Sequence, residues 1–162
     1  MAMNRQSGRR PLDAFDLAIL RIVQKDNKTP QRTIARAVNL SAAAVQRRIA
    51  AMEEDGVIAR NVAIVDTRAL HMTITSIVEV HLINERPATV DSAKAAFMAA
   101  PEVQQCYYVT GGISFVLVIV TRDMIEYEAI TRRLFADSEA VASFRSLIAL
   151  DRVKTGAEIP IF

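Results

Sequence analysis

The sequence predicts an α+β protein in two parts, a tri-helical N-terminal domain and a C-terminal domain ordered β-α-β-β-α-β. Three observations predict it. Between residues 13 and 56, apolar side chains recur at helical spacing in three short segments separated by cap and turn residues. After Gly56 the period shortens and β-branched residues accumulate. From residue 73 onward, strand-like stretches of alternating polarity are interleaved with two helix-like ones.

The first helix opens at Asp13, an N-cap with Asp16 three residues on in a capping-box position. Phe15, Ile19, Ile22 and Val23 fall on one face, and Asp26-Asn27-Lys28 ends the helix. Thr29 is expected to cap the second helix, with Pro30 at its first position, where a missing N–H costs nothing. Ile34, Ala35 and Val38 form its inner stripe, and Asn39-Leu40 is a tight turn. Ser41 caps a third helix, whose Val45, Ile49 and Met52 recur at helical spacing until Gly56 stops it.

Two short helices joined by so few residues form a helix-turn-helix, in which the second helix of the pair enters the DNA major groove. The outward face of that helix is expected to carry Ala42, Ala43, Gln46, Arg47 and Ala50. Small side chains near its N-terminus allow close approach to base edges. Gln46 suits an adenine edge, and Arg47 a guanine edge or a phosphate. Arg48 flanks the buried stripe, and the pattern leaves open whether it braces the helix or meets phosphate. The candidate DNA-binding residues are therefore Ser41, Ala42, Ala43, Gln46, Arg47 and Arg48. A plain three-helix bundle with a polar face is the alternative; the cap, turn and cap spacing favours the helix-turn-helix.

Val57-Ile58 and residues 62–65 are β-branched and read as strand, and residues 66–70 as a short turn or helical link. In 74–82, Ile74, Val78, Val80 and Leu82 share one face, and Thr75, Glu79 and His81 the other. Pro87 and Thr89 precede a helix burying Val90, Ala93 and Phe97, which Pro101 breaks. Residues 103–110 form a strand, 111–114 a turn, and 115–120 a fully buried strand. Asp123 and Glu126 make a capping pair for a helix marked by Tyr127, Ile130 and Leu134, and residues 141–153 form a last strand. This order is the split βαβ, ferredoxin-like arrangement. The expected organisation is a flexible basic arm at 1–11, a DNA-binding domain at 12–62, a linker at 63–72, a ferredoxin-like domain at 73–155 and a tail at 156–162.

Charge is unevenly placed. Residues 1–60 hold 11 Lys/Arg against 6 Asp/Glu, and residues 61–162 hold 9 against 12. A basic first third on a slightly acidic remainder suits an N-terminal anion-binding module. The longest apolar run, 115–120, falls far short of the ~18 residues a membrane span needs. No apolar stretch follows the basic N-terminal residues, which argues against a signal peptide. Cys106 stands alone and cannot form an internal disulfide; its strand position suggests a buried, inert thiol. These features predict a soluble, cytoplasmic protein. His71 and His81 are the only histidines, and no catalytic triad or metal-ligand cluster is visible. No catalytic residue, metal or cofactor is therefore expected, and the chain is not expected to be an enzyme.

Six stretches carry a resemblance: Leu-Asp-x-x-Asp-x-x-Ile-Leu at 12–20, Leu-Ser-x-x-x-Val-x-x-Arg at 40–48, Glu-Glu-Asp-Gly-Val-Ile at 53–58, Pro-Glu-Val-Gln-Gln-Cys at 101–106, Val-Thr-Gly at 109–111 and Val-Lys at 153–154. In this order and spacing the chain resembles the Lrp/AsnC family of prokaryotic feast/famine regulators over residues 12–155. The resemblance implies a winged-helix DNA-binding domain and a ferredoxin-like effector domain, with double-stranded DNA as partner. It also implies homodimers formed through the sheets, octamers of those dimers, and an amino acid bound between dimers near the loop that here is 110–114.

Such a loop suits a zwitterion, because glycine allows close backbone approach and offers N–H groups to a carboxylate. The sequence departs from the family there. The family loop commonly reads Gly-Asp-aromatic-Asp-aromatic, whereas this chain has Gly111-Gly112-Ile113-Ser114-Phe115 and no acid. Ser146 stands where the family commonly has a pocket Thr, and His71 where it often has Gly. The effector candidates are Thr110, Gly111, Gly112, Ser114 and Ser146. The missing acids keep two other readings open: an architectural DNA-binding protein without an effector, and a tetrapyrrole enzyme of the kind found among the family's siroheme-decarboxylase relatives.

Overall fold

The computed structural model describes residues 10–162. The expected arm at 1–11 thus lies almost wholly outside the described residues. The chain divides into two compact units, one running through Ile64 and including Thr155–Phe162, the other Val65–Lys154.

The first unit is tri-helical, with α1 at Ala14–Val23, α2 at Gln31–Val38 and α3 at Ala42–Glu54. A reciprocal capping box starts α1. The Asp13 carboxylate accepts from the Asp16 N–H at 2.9 Å, and Asp16 accepts from the Asp13 N–H at 3.1 Å. The second helix begins one residue later than expected. Pro30, not Thr29, is its N-cap and makes no side-chain cap bond. The Thr29 hydroxyl instead donates back to the Asp26 carbonyl at 2.8 Å, closing the preceding turn. Asn39 ends α2 in the left-handed region at φ 55°, a conformation Asn tolerates better than most residues. Ser41 then caps α3 by accepting from the Ala44 N–H at 3.1 Å. Ile19, Ile34, Ala35, Val38, Val45 and Met52 form the core.

The strand expected over 57–58 and 62–65 is absent: among the described residues, no strand precedes Ile74. Val57 and Ile58 both donate to the Met52 carbonyl and serve as the C-terminal closure of α3. Val62 and Ile64 are 61% and 83% exposed. Their β-branched side chains suit a strand, but nothing among the described residues offers them a ladder. The C-terminal segment belongs to this unit. Arg21 Nε donates to the Ile161 carbonyl at 2.9 Å, and Gln24 both donates to and accepts from the Ile159 backbone.

The second unit holds β1 (Ile74–Leu82), α4 (Pro87–Ala99), β2 (Val103–Tyr108), β3 (Phe115–Thr121), α5 (Met124–Thr131, continued by a wider turn at Arg132–Ala136) and β4 (Val141–Ile148). The sheet order is β2-β3-β1-β4, and every neighbouring pair is antiparallel. This is the ferredoxin-like order the sequence predicts. Val78, Val80, Leu82, Phe115, Leu117 and Ile119 point from the sheet to Val90, Phe97, Tyr127, Ile130 and Phe135 on the helices. Before the sheet, His71 sits at φ 56°, which explains why glycine suits that position. The last strand is shorter than the predicted 141–153, because β1 starts at Ile74 and offers nothing beyond the Ala149 N–H bond to the Thr75 carbonyl. Among the described residues, nothing covers the other sheet face. Ile77, in register with Val118 and Leu147, gives it an apolar centre, and the Glu79–Arg145 ion pair at 2.7 Å borders it.

Candidate nucleic-acid interface and ligand site

Helix α3 turns one face outward. Ser41, Ala43, Gln46, Arg47 and Ala50 are exposed and Ala42 is half-buried, while Val45 and Met52 are fully buried. Ser41 ties its hydroxyl into the cap, which leaves the small face of Ala42 and Ala43 at the helix start. Among the described residues, no carboxylate lies within ion-pair distance of Arg47.

Arg48 differs. Its Nη1 lies 2.7 Å from Asp13 and 2.8 Å from Asp16, and its guanidinium stacks over the Phe15 ring at 5.5 Å. Asp16 is completely buried and is also gripped by Arg10, at 2.6 and 3.1 Å. The Arg10 hydrogen bonds, helped by Arg48 and the Asp13 N–H, outweigh burial and hold the Asp16 carboxyl far below the usual carboxylate range. Of the two roles the pattern left open for Arg48, this geometry favours the brace between α1 and α3. The carboxylate partners could not be inferred from helical periodicity, because they lie more than thirty residues away.

The 110–114 loop joins β2 to β3. Gly111 and Gly112 take φ +111° and +95°, and a Cβ at either would meet nothing within 4 Å. The glycines are thus required by backbone conformation, and the space beside them is open. Ser114 is buried; its Oγ accepts from the Leu82 N–H at 3.0 Å and donates to Glu85 Oε1 at 2.5 Å. Tyr108 donates to Glu85 Oε2 at 2.7 Å. A cavity of about 440 Å³ opens here, walled by the loop with His81, Glu85 and Tyr108. The Ser114 and Tyr108 hydroxyls hold the Glu85 carboxyl below its ordinary range, and Glu85 in turn pushes the Tyr108 phenol up.

Thr110, Gly111, Gly112 and Ser114 come together at this cavity, and Ser146 does not. Its register places it opposite Val78, away from the Val80–Leu82 end where the cavity opens, and its hydroxyl accepts from Tyr127. Sequence reading missed Glu85 and Tyr108 as cavity residues. Glu85 follows β1, and nothing in its local pattern ties it to a loop some 25 residues later. Cys106, expected to be buried, is half-buried, and that partial burial pushes its thiol up. Among the described residues, no cluster could hold a metal ion and no helix is long and apolar enough to cross a membrane.

A helix-turn-helix whose second helix turns a small, basic face outward, joined to an α+β domain with a cavity at a glycine loop, is the architecture of a DNA-binding regulator with a ligand-binding domain. Residues 12–59 match the family model for a winged helix-turn-helix DNA-binding domain, and residues 75–159 match that of the Lrp/AsnC ligand binding domain. The chain belongs to the Lrp/AsnC family of transcriptional regulators. It is 39% identical over 150 residues to an HTH-type transcriptional regulator of Sinorhizobium fredii, covering 93% of this chain and 89% of that one. The leucine-responsive regulatory protein of Haemophilus influenzae is 28% identical, with 88% of this chain and 86% of that one covered. The crystal structure of an AsnC family regulator from Agrobacterium tumefaciens superposes with a TM-score of 0.86 at 31% identity, covering 92% of this chain and 97% of that one.

Proposed function

We propose that this regulator reads DNA sequence with the N-terminal face of α3 and responds to an amino acid or a related small metabolite held at the 110–114 loop. The observation that carries the first half is the contrast on one helix. Gln46 and Arg47 face outward with no side-chain partner among the described residues, while Arg48 is committed to Asp13 and Asp16. Ser41, Ala42 and Ala43 let the helix start lie close to base edges, Gln46 reads an adenine edge, and Arg47 a guanine edge or phosphate. The half-sites of a homodimer lie about one helical turn apart. The uncovered sheet face around Ile77, Val118 and Leu147 supports pairing there, and dimers assemble further into octamers. The effector acts by favouring one packing of dimers over another, which requires a difference in its affinity for the two. The protein's work is binding rather than catalysis, and it is done in the cytoplasm.

Arg47→Ala is expected to cost about 1–3 kcal/mol of binding to duplex DNA from its own upstream region, read by fluorescence anisotropy at fixed salt. Unchanged affinity at matched salt overturns the recognition assignment.

A second reading is an architectural DNA-binding protein without an effector. The absence of any acid in the 110–114 loop itself favours it. Calorimetry against the twenty amino acids separates the two: saturable heat from one removes the architectural reading, and heat from none supports it.

A further inference from the structure

We propose that Glu85 is the acidic group of the ligand cavity, standing in from outside the loop for the carboxylates that the loop lacks, so that the ligand carries an ammonium group beside a carboxylate. This rests on the reading of the 110–114 cavity as the effector site.

Glu85 is the only acid among the residues that wall the cavity. Its two oxygens are oriented by two separate donors, Ser114 at 2.5 Å and Tyr108 at 2.7 Å. Both donors are neutral hydroxyls. Among the described residues, no Lys, Arg or His lies within ion-pair distance of Glu85, which is exposed and therefore open to a charged ligand. Each carboxylate oxygen has room for a further hydrogen bond. A carboxylate that is oriented, kept ionised and left without a cation at the wall of a cavity is a receptor for a cation.

The complementary half comes from the loop. The N–H groups of Gly111 and Gly112 have no acceptor among the described residues, and the space beside both glycines is open. Successive unpartnered backbone N–H groups in a tight turn favour an anion. One cavity thus offers a fixed negative charge and free backbone donors, the pairing that a zwitterion needs. Lys94 does not compete, since its ammonium lies over the Tyr108 ring at 4.8 Å from the centroid.

The test is calorimetry of the full chain and of Glu85→Gln against each of the twenty amino acids and against the des-amino acid of whichever binds. The wild type is expected to bind at least one amino acid at least tenfold more tightly than its des-amino counterpart. Glu85→Gln is expected to lose that discrimination while keeping the des-amino affinity, its thermal midpoint and its ligand-free DNA affinity. Three results overturn the proposal. A Glu85→Gln protein that still discriminates leaves the effector reading standing and removes Glu85 from it. A variant that loses both ligands equally makes Glu85 a support for Tyr108 and Ser114. If no amino acid binds while upstream DNA is still bound specifically, the DNA-binding regulator survives without this site.

Discussion

Asp16→Ala is expected to lower the stability of the helical unit by about 3 kcal/mol. Asp16 is fully buried and accepts from Arg10, Arg48 and the Asp13 N–H, so its carboxylate is shared between two guanidinium groups, one of which also pairs with Asp13, and completes the α1 cap. Removing one side of a buried, hydrogen-bonded ion pair typically costs about 3–5 kcal/mol when the partner charge stays buried. Here Arg10 and Arg48 are partly exposed and can turn to water, which places the cost at the lower end. Urea denaturation followed by far-UV circular dichroism measures it; a loss under about 1 kcal/mol contradicts the account.

The same network sets an acid limit. The Asp16 carboxyl titrates far lower in the folded chain than unfolded. Its contribution is therefore fully present above the unfolded value of about 3.9 and is lost as pH falls below about 4 toward the depressed folded value. The alanine variant is expected to show a shallower loss of stability over that range than the wild type.

Phe97→Ala is expected to cost the sheet domain about 3–5 kcal/mol. The ring is 1% exposed and meets Phe115 edge-on at 5.3 Å and Phe135 at 5.9 Å, so it joins α4, β3 and the turn after α5 at one point. Its neighbours in the same buried cluster come from the sheet and both helices, so truncation leaves a cavity in a close-packed core. Near-UV circular dichroism through thermal unfolding reads the change. A midpoint within a degree or two of the wild type contradicts this packing.

Where the physics is local, the sequence was readable. The three-residue spacing of Asp13 and Asp16 announces a capping box because the helix geometry imposes that spacing, and the box is present. The alternation through Val78, Val80 and Leu82 announces a half-buried strand, and all three are buried. The β-branched run at 62–65 misled, since side-chain preference does not supply a pairing partner. Thr29 lost its cap to Pro30 because its hydroxyl had a nearer acceptor in the Asp26 carbonyl. Arg48 was undecidable from its own helix, as its partners belong to α1. Glu85 was invisible as a cavity residue because only the return of β3 alongside β1 brings Ser114 to it.

The most direct test of a sequence-reading regulator is a gel-shift with the DNA upstream of its own gene, titrated with salt against unrelated competitor. A sequence-reading regulator forms a specific complex in the nanomolar range, about a thousandfold or more tighter than competitor, with affinity falling steeply as salt rises. An affinity for upstream DNA no greater than for competitor would contradict it and leave the cavity at the 110–114 loop as the working part of the molecule.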